Sequence, residues 1–328
     1  MRIRCAVVCG LLVVVACGRT EPAPESSPLP QRPASTPYDE ARRLLEQGQA
    51  DAALAALGSL PPVAESLYLQ GAAWAKKAET APLPTPPPAP SPLPRGYAPL
   101  AAPEFKEAEL QALSFLEQAV GAEANHARAH QSIADLLAPH AIRRAELLKA
   151  SSSSRPRPKR GKPEPPPLPS VSTDGPDASP ERVIREYQLA ITADPASAAP
   201  VEALISFCER TDRASEAEAA FTELQKRERE KPEPFVRYGD FLMARHDFEG
   251  AIGQYRQALM WKADDEATKA KIGEIYIAMA QEHLVRQEYG SATERLREAS
   301  KWVKDKSSPA GVKLQAALAE LAQIRRGR

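Results

Sequence analysis

Apolar positions in the second half of the chain fall on a helical stripe that recurs every 34 residues. Phe235, Tyr238, Gly239 and Leu242 stand at i, i+3, i+4 and i+7; 34 residues on are Lys269, Ile272, Gly273 and Tyr276, and 34 residues back Val201, Leu204, Ile205 and Cys208. This spacing marks one face of an α-helix. A second stripe shares the period, since Ala217, Phe221 and Leu224 reappear as Ala251, Tyr255 and Ala258. Two helices per fixed unit predict a solenoid in which each pair buries its apolar face on the next. The small residue in each stripe lets a neighbouring helix approach closely, while its bulky flank fills the groove alongside.

Extending the alignment over the whole chain predicts six repeats. The first-helix small positions are Ala41, Gly71, Ala134, Ile205, Gly239 and Gly273; the second-helix ones are Ala53, Ala112, Val183, Ala217, Ala251 and Ala292. Repeats one, four and five separate the two by 12 residues, whereas repeats two, three and six need 41, 49 and 19. All three expansions fall between the helices of one repeat. The seven extra residues of repeat six, around Gln281–Gln287, keep a helical pattern and add about two turns. Pro139 interrupts the pattern of repeat three, so His126–Ala150 reads as one kinked helix or two. Ala310–Ile324 continues the periodicity with no partner and suits a capping helix.

The stretches Tyr187–Pro195 (YQLAITADP) and Arg245–Leu259 (RHDFEGAIGQYRQAL) carry a more specific signal. They resemble the tetratricopeptide repeat, whose first helix bears a large–Leu–Gly–Tyr stripe and whose second bears an Ala–bulky–Ala stripe before a Pro. The resemblance covers about residues 36–79, 104–150 and 181–303 and is densest over 198–265. Ile205 and Val183 depart from it, as do Leu60 and Leu224 in place of the later Ala. The resemblance implies an all-α, right-handed α-solenoid of about six helix-turn-helix repeats plus a C-terminal capping helix.

Prolines and the N-terminus mark what lies outside the repeats. Of 33 prolines, six fall between Pro22 and Pro37, ten between Pro82 and Pro103, and nine between Pro156 and Pro180. Such runs cannot bury enough apolar surface to fold. Arg2 and Arg4 precede an apolar run from Ala6 to Ala16, too short to span a bilayer and suited to a signal-peptide core. It ends Val14-Val15-Ala16-Cys17, which resembles a bacterial lipobox and implies lipid attachment at Cys17. The expected organisation is a signal peptide (1–16), a Pro-rich tether (17–36), repeat helices (37–79), an insertion (80–103), repeat helices (104–150), a Pro/Ser/basic insertion (151–180), repeats (181–303) and a capping helix (308–326). Extended, the tether would reach on the order of 60 Å.

Charge and chemistry narrow the function mainly by exclusion. With 43 basic and 43 acidic residues, no global field favours nucleic acid. The exception is Arg155–Lys162 (RPRPKRGK), read as a solvated loop or a contact for anionic headgroups, polysaccharide or an acidic protein. After loss of the signal and lipidation of Cys17, only Cys208 remains, on an apolar stripe where it reads as a small buried hydrophobe. His126 and His130 have i, i+4 spacing but lack the intervening Glu of a zinc-protease helix, and read as surface histidines. Pairs such as Glu223–Arg227 read as solvated helix faces. No phosphate loop, nucleophile elbow or catalytic constellation stands out, so no enzyme, cofactor or metal site is expected.

What remains is surface. In the family that this chain resembles, the first helices line a groove that holds a partner's peptide. Carried over, the groove comprises Tyr38 and Arg42, Tyr68, and Arg128, Gln131 and Asp135 in the first three repeats. It continues with Glu202, Ser206, Glu209, Glu233, Val236, Asp240, Met243, Glu274 and Ile277. The places where carboxylate-clamping members carry Lys and Asn hold Gln131/Asp135, Glu202/Ser206, Val236/Asp240 and Ala270/Glu274, which argues against such a clamp. Five acids (Glu202, Glu209, Glu233, Asp240, Glu274) face one base, Arg210, in the second half, which predicts a basic or amphipathic partner segment. The expectation is a membrane-anchored interaction scaffold assisting an envelope complex. In a two-membrane bacterium, Gly18 after Cys17 favours the periplasmic face of the outer membrane. A structural spacer, or a ligand-binding lipoprotein without a peptide groove, remains the alternative.

Overall fold

A computed structural model describes residues 36–82, 105–153 and 175–326. The signal segment, Cys17, the tether up to residue 35, the Arg155–Lys162 run and most of both Pro-rich insertions lie outside the described residues. Among the described residues there are thirteen α-helices and no strand, all within the compact unit Pro37–Arg328.

The helices pair as the 34-residue period predicts. Repeat one is α1 (Pro37–Glu46) with α2 (Ala50–Leu57), repeat two α3 (Ala64–Thr80) with α4 (Glu107–Ala122), and repeat three α5 (Ala127–Ser153) with α6 (Pro180–Ala193). Repeat four is α7 (Ala199–Arg210) with α8 (Ala214–Arg227), and repeat five α9 (Glu233–Ala244) with α10 (Phe248–Trp261). Repeat six is α11 (Glu266–Val285) with α12 (Tyr289–Trp302), and α13 (Pro309–Arg326) closes the series. Within each repeat the two helices pack on each other, and each second helix packs on the first helix of the next repeat. Both interrupted hairpins, α3 with α4 and α5 with α6, are intact. The fold is an all-α solenoid.

The stripes explain the packing. A Cβ added at Gly71 would lie 2.7 Å from Leu116 Cγ, at Gly239 2.5 Å from Tyr255 Cε1, and at Gly273 2.2 Å from Val303 Cγ2. The small first-helix residue therefore admits a bulky side chain from its own repeat's second helix or, in repeat six, from just after it. Tyr255 is fully buried and cannot swing away. Gly239→Ala is expected to lower stability by about 1–3 kcal/mol through overpacking, measured by urea unfolding. A neutral result would show that the hairpin tolerates a wider spacing.

The short turns are alike in physical detail. Gly48, Asp212, His246 and Gln287 hold the equivalent turn position, and all have φ between 57° and 76°. The following amide closes a six-residue ring onto the first helix: Gln49 N–H donates to Leu44 O at 2.8 Å, Arg213 to Cys208 at 2.9 Å, Asp247 to Leu242 at 2.9 Å and Glu288 to His283 at 2.8 Å. This is the Schellman closure, which favours glycine at the left-handed residue. Only repeat one uses it. Left-handed backbone costs a non-glycine residue about 1–2 kcal/mol, against about 0.5–1 kcal/mol for glycine's extra freedom when unfolded. Gln287→Gly is therefore expected to raise stability by up to about 1 kcal/mol, read as a higher urea midpoint. A lowered midpoint would mean that the Gln287 side chain contributes more than its backbone costs.

α5 settles the Pro139 question: it is one helix of 27 residues with the proline inside. Arg227, expected on a solvated face, instead clasps the junction of repeats three and four. It keeps its pair with Glu223 at 3.1 Å, but the guanidinium also donates to the carbonyls of Ile191 (2.9 Å), Asp194 (3.1 Å) and Ser197. These carbonyls lie at and beyond the end of α6, where a helix leaves acceptors without amide donors.

The core divides into two large clusters with a seam at α9. One runs from Leu67 through Leu224, the other from Leu242 through Leu321, and Tyr238 and Phe241 pack against both. A third, smaller cluster of Ala41, Leu57 and Leu69 supports repeat one. The capping expectation for the C-terminus fits α13, which buries Ala310, Leu314, Ala317 and Leu321 on α11 and α12.

Candidate peptide-binding groove

The carried-over groove positions lie on α1, α3, α5, α7, α9 and α11, and several meet across neighbouring first helices as ion pairs. Arg42 of α1 donates to Glu65 of α3 at 2.6 Å. Glu202 of α7 lies 3.6 Å from Arg237 of α9. Asp240 of α9 accepts from Lys271 of α11 at 2.6 Å, and Glu274 of α11 from Lys313 of α13 at 2.6 Å. These pairs form a polar ladder from one first helix to the next. Their partly exposed setting makes each worth at most about 1 kcal/mol, so they set register and surface charge more than stability.

The ladder corrects the charge expected for the groove. Three of the five acids counted from the sequence are matched by Arg237, Lys271 and Lys313, none of which stands at a carried-over position. Glu209 and Glu233 remain exposed without an ion pair among the described residues. Glu233 sits in the first turn of α9, where the helix dipole favours an acid. A strongly acidic groove is therefore absent from the described surface.

Burial corrects another assignment. Ile277 is 2 % exposed and belongs to the second core cluster, so it cannot face a bound segment. α13 packs on α11 and takes the place that a further repeat would occupy. Val236 and Met243 are half-buried against the same cluster, and Tyr38 against the cluster of repeat one. The Ser206 hydroxyl donates back to the Glu202 carbonyl at 3.0 Å. In repeats two and three, Tyr68 packs on the His126 ring at 5.1 Å and is held in its neutral form by burial, with the Arg128 charge and a hydrogen bond to Ser132 opposing. Asp135 accepts from the Tyr187 hydroxyl at 2.8 Å and interacts with Gln131.

One recess gathers both predicted and unpredicted residues. Between α7 and α9, Glu209, Arg237, Asp240, Phe241, Ala244 and Arg245 line an open hollow of about 490 Å³. Its aromatic element, Phe241, belongs to the core seam: it packs on Phe221 at 5.3 Å, and Phe221 stacks on Tyr238 at 5.0 Å. Arg245 lies 5.7 Å from the centre of the Phe241 ring and 3.2 Å from Asp212. Asp240 is fixed twice, since the Tyr255 hydroxyl also donates to it at 2.6 Å. Burial, with that carboxylate beside it, pushes the Tyr255 phenol far up, so it stays a donor. The recess thus offers an apolar base with a rim of both charges. Of its residues, the register of the repeats anticipates Glu209 and Asp240. Arg237, Phe241, Ala244 and Arg245 sit off the carried-over positions, and the i, i+4, i+8 spacing of Arg237, Phe241 and Arg245 on one helix face is the signal that could have found them.

The histidines are not the surface groups expected. His126 and His130 are both buried. His130 Nδ1 lies 2.7 Å from Glu186 Oε2, and Nε2 lies 3.0 Å from the Ala124 carbonyl, to which it must donate. His126 Nδ1 accepts from the Ala129 amide at 3.1 Å while Nε2 lies 3.3 Å from Glu65. His140 stacks on Phe105 at 3.9 Å and lies 3.4 Å from Glu109. Among the described residues no three His, Cys, Asp or Glu side chains come together as a metal cluster. Cys208 is buried, and burial pushes its thiol up to about 12, far from a reactive thiolate.

Comparison with known proteins finds distant similarities only. No protein-family model and no curated protein matches the chain. Among solved structures, MamA 41-end from Desulfovibrio magneticus RS-1 is 12 % identical over 70 % of this chain and 94 % of its own, with a TM-score of 0.39. Pseudomonas aeruginosa pilF is 12 % identical, covering 85 % of this chain and 95 % of its own at 0.39. TTC0263, a thermophilic TPR protein in Thermus thermophilus, is 14 % identical over 73 % of this chain and 96 % of its own at 0.35. In its paired, stacked helices this chain is similar to tetratricopeptide-repeat proteins.

Proposed function

We propose that the chain is a non-catalytic scaffold that holds a segment of another protein in the recess between α7 and α9, and that lipid on Cys17 tethers it to a membrane. The observation that supports docking is the recess itself: an open hollow with Phe241 at its base, Glu209 unpaired, and Arg237, Asp240 and Arg245 around it. A partner's apolar side chain would lie on Phe241, and a basic group beside it would face Glu209. The segment is therefore amphipathic rather than wholly basic, because Glu202, Asp240 and Glu274 already have cationic partners. Nucleic acid has no part in this reading.

The tether rests on the Val14-Val15-Ala16-Cys17 run and the Pro-rich stretch after it. On this reading the array works in the cell envelope, at the periplasmic face of the outer membrane where the source has two membranes, and assists assembly of a complex there. Among the described residues no helix is long and apolar enough to cross a membrane. Ala244 is exposed at the recess, so Ala244→Arg should fill it without disturbing the core. Partner recovery after crosslinking in cells should fall roughly tenfold or more in Ala244→Arg and in Glu209→Lys. Undiminished recovery from both would favour the spacer reading. Fatty-acid labelling should vanish in Cys17→Ser; a labelled variant would overturn the tether.

A further inference from the structure

α10 and α12 are the second helices of adjacent repeats, and both end on a tryptophan, Trp261 and Trp302. The end of α12 reaches the last turns of α10, where the Arg256 guanidinium sits 6.0 Å from the centre of the Trp302 ring. Met260 follows Arg256 by one helical turn, and Trp261 follows Met260. Trp302 is half-covered, whereas Met260 is 83 % exposed and Trp261 53 % exposed. Two large apolar side chains at one edge thus make little contribution to the core. An apolar group left in water in this way points to a contact outside the chain.

The charges beside them have an uneven balance. Lys262 is engaged by Asp265 at 3.4 Å and Lys301 by Glu298 at 2.6 Å. Arg256 makes no ion pair among the described residues and reaches the Tyr276 hydroxyl at 3.4 Å besides the Trp302 ring. Lys304 and Lys306, exposed in the turn after Trp302, make no ion pair among the described residues, and Asp305 between them is turned onto the Ser307 amide at 2.8 Å. Beside Trp261, Lys262 meets Asp265 and Asp264 is exposed, so the positive surplus is confined to the end of α12, where Lys304 and Lys306 follow Trp302. Trp and Met at successive helix ends, with lysines alongside, match the boundary layer of a bilayer: the rings enter the headgroup region while the ammonium groups stay at the phosphates.

We infer that the edge formed by the C-terminal ends of α10 and α12 is a seat on an anionic phospholipid surface, with Met260 and Trp261 entering the headgroup layer and Lys304 and Lys306 facing phosphate. The seat goes beyond the scaffold reading and does not depend on lipid at Cys17. It would fix the orientation of the array on a membrane, which attachment at the single residue Cys17 would not do.

The test reads single tryptophans in the full chain, so attachment through the N-terminal segment cannot imitate it. One variant keeps Trp261 (Trp74→Phe with Trp302→Phe); a second keeps Trp74 on α3 (Trp261→Phe with Trp302→Phe). Each is mixed with vesicles of phosphatidylcholine containing phosphatidylglycerol, made with or without brominated acyl chains. Trp261 emission should shift to shorter wavelength and be quenched by the brominated lipid, while Trp74 emission should not. Lys304→Glu with Lys306→Glu in the Trp261 variant should weaken the lipid dependence of quenching about tenfold or more; circular dichroism checks that the helices are retained. Bound protein with Trp261 unquenched would overturn the seat and leave attachment to the N-terminal segment. Equal quenching on pure phosphatidylcholine would overturn the anionic requirement. A concentration-dependent blue shift without lipid would overturn it in favour of contact between copies of the chain.

Discussion

Phe221→Ala should lower stability by about 3–5 kcal/mol, and unfolding should separate into two steps. Phe221 on α8 is fully buried and stacks on Tyr238 at 5.0 Å and against Phe241 at 5.3 Å, both on α9. Those two rings pack against both large clusters, so Phe221 is part of the joint through which the halves of the array support each other. The stability of a repeat array is approximately a sum of repeat and neighbour terms, and the weakest neighbour term sets where cooperativity breaks. Removing the ring takes away the buried area of one side chain and the contact that couples the two cores. Urea unfolding followed by tryptophan emission would report the change, since Trp261 and Trp302 lie in the C-terminal cluster's helices and Trp74 near the N-terminal one. A loss under about 1 kcal/mol with one undivided transition would be incompatible with this seam.

Glu186→Ala should be comparably damaging for an electrostatic reason. Glu186 and His130 are both buried and meet at 2.7 Å, with Arg182 3.9 Å from the other carboxylate oxygen. Deleting one member of a buried pair leaves the other polar group without its partner, at a cost of about 3–5 kcal/mol. Replacing both with apolar residues is far milder, and often neutral. Glu186→Leu combined with His130→Leu is therefore expected to recover most of the stability that Glu186→Ala loses. Denaturant midpoints of the two variants and the parent form the comparison. If the double variant is as unstable as the single one, α5 and α6 are held together by the packing around these residues and not by the pair.

The parts of the fold visible in the sequence are those with a period. Helix pairing, the close approaches at Gly71, Gly239 and Gly273, the long separations of α3 from α4 and of α5 from α6, and the terminal helix all follow from stripes repeating at one interval. What stays hidden is pairwise and distant. His130 finds Glu186 56 residues on and His126 finds Glu65 61 residues back, spacings that no local pattern marks. The acids Glu202, Asp240 and Glu274 look unopposed in the sequence because their cations come from the next first helix or the terminal helix, 31 to 39 residues later. Arg227 reads as a solvent-facing residue because its i, i+4 partner is real, while the three carbonyls that it also holds belong to the end of another helix. Register alone puts Ile277 in the groove. The helix that follows it in the array changes its surroundings.

That distinction bears on the groove itself. Carrying family positions onto the chain puts them on the first helices, yet the recess owes its apolar base to the core seam. Phe241 serves the packing of α8 and α9 and is also the surface on which a partner's side chain would rest. A bound segment would then stiffen the joint between the two clusters, a coupling that Phe221→Ala would weaken.

Photocrosslinking in intact cells tests the docking claim most directly. A photoreactive amino acid in place of Ala244 in the recess should yield an adduct with a defined protein, and the same protein should be captured from position 209. The same group in place of Lys226, exposed on α8 outside the recess, should yield none of it. Failure of both recess positions to capture a protein, or equal capture from Lys226, would contradict the account.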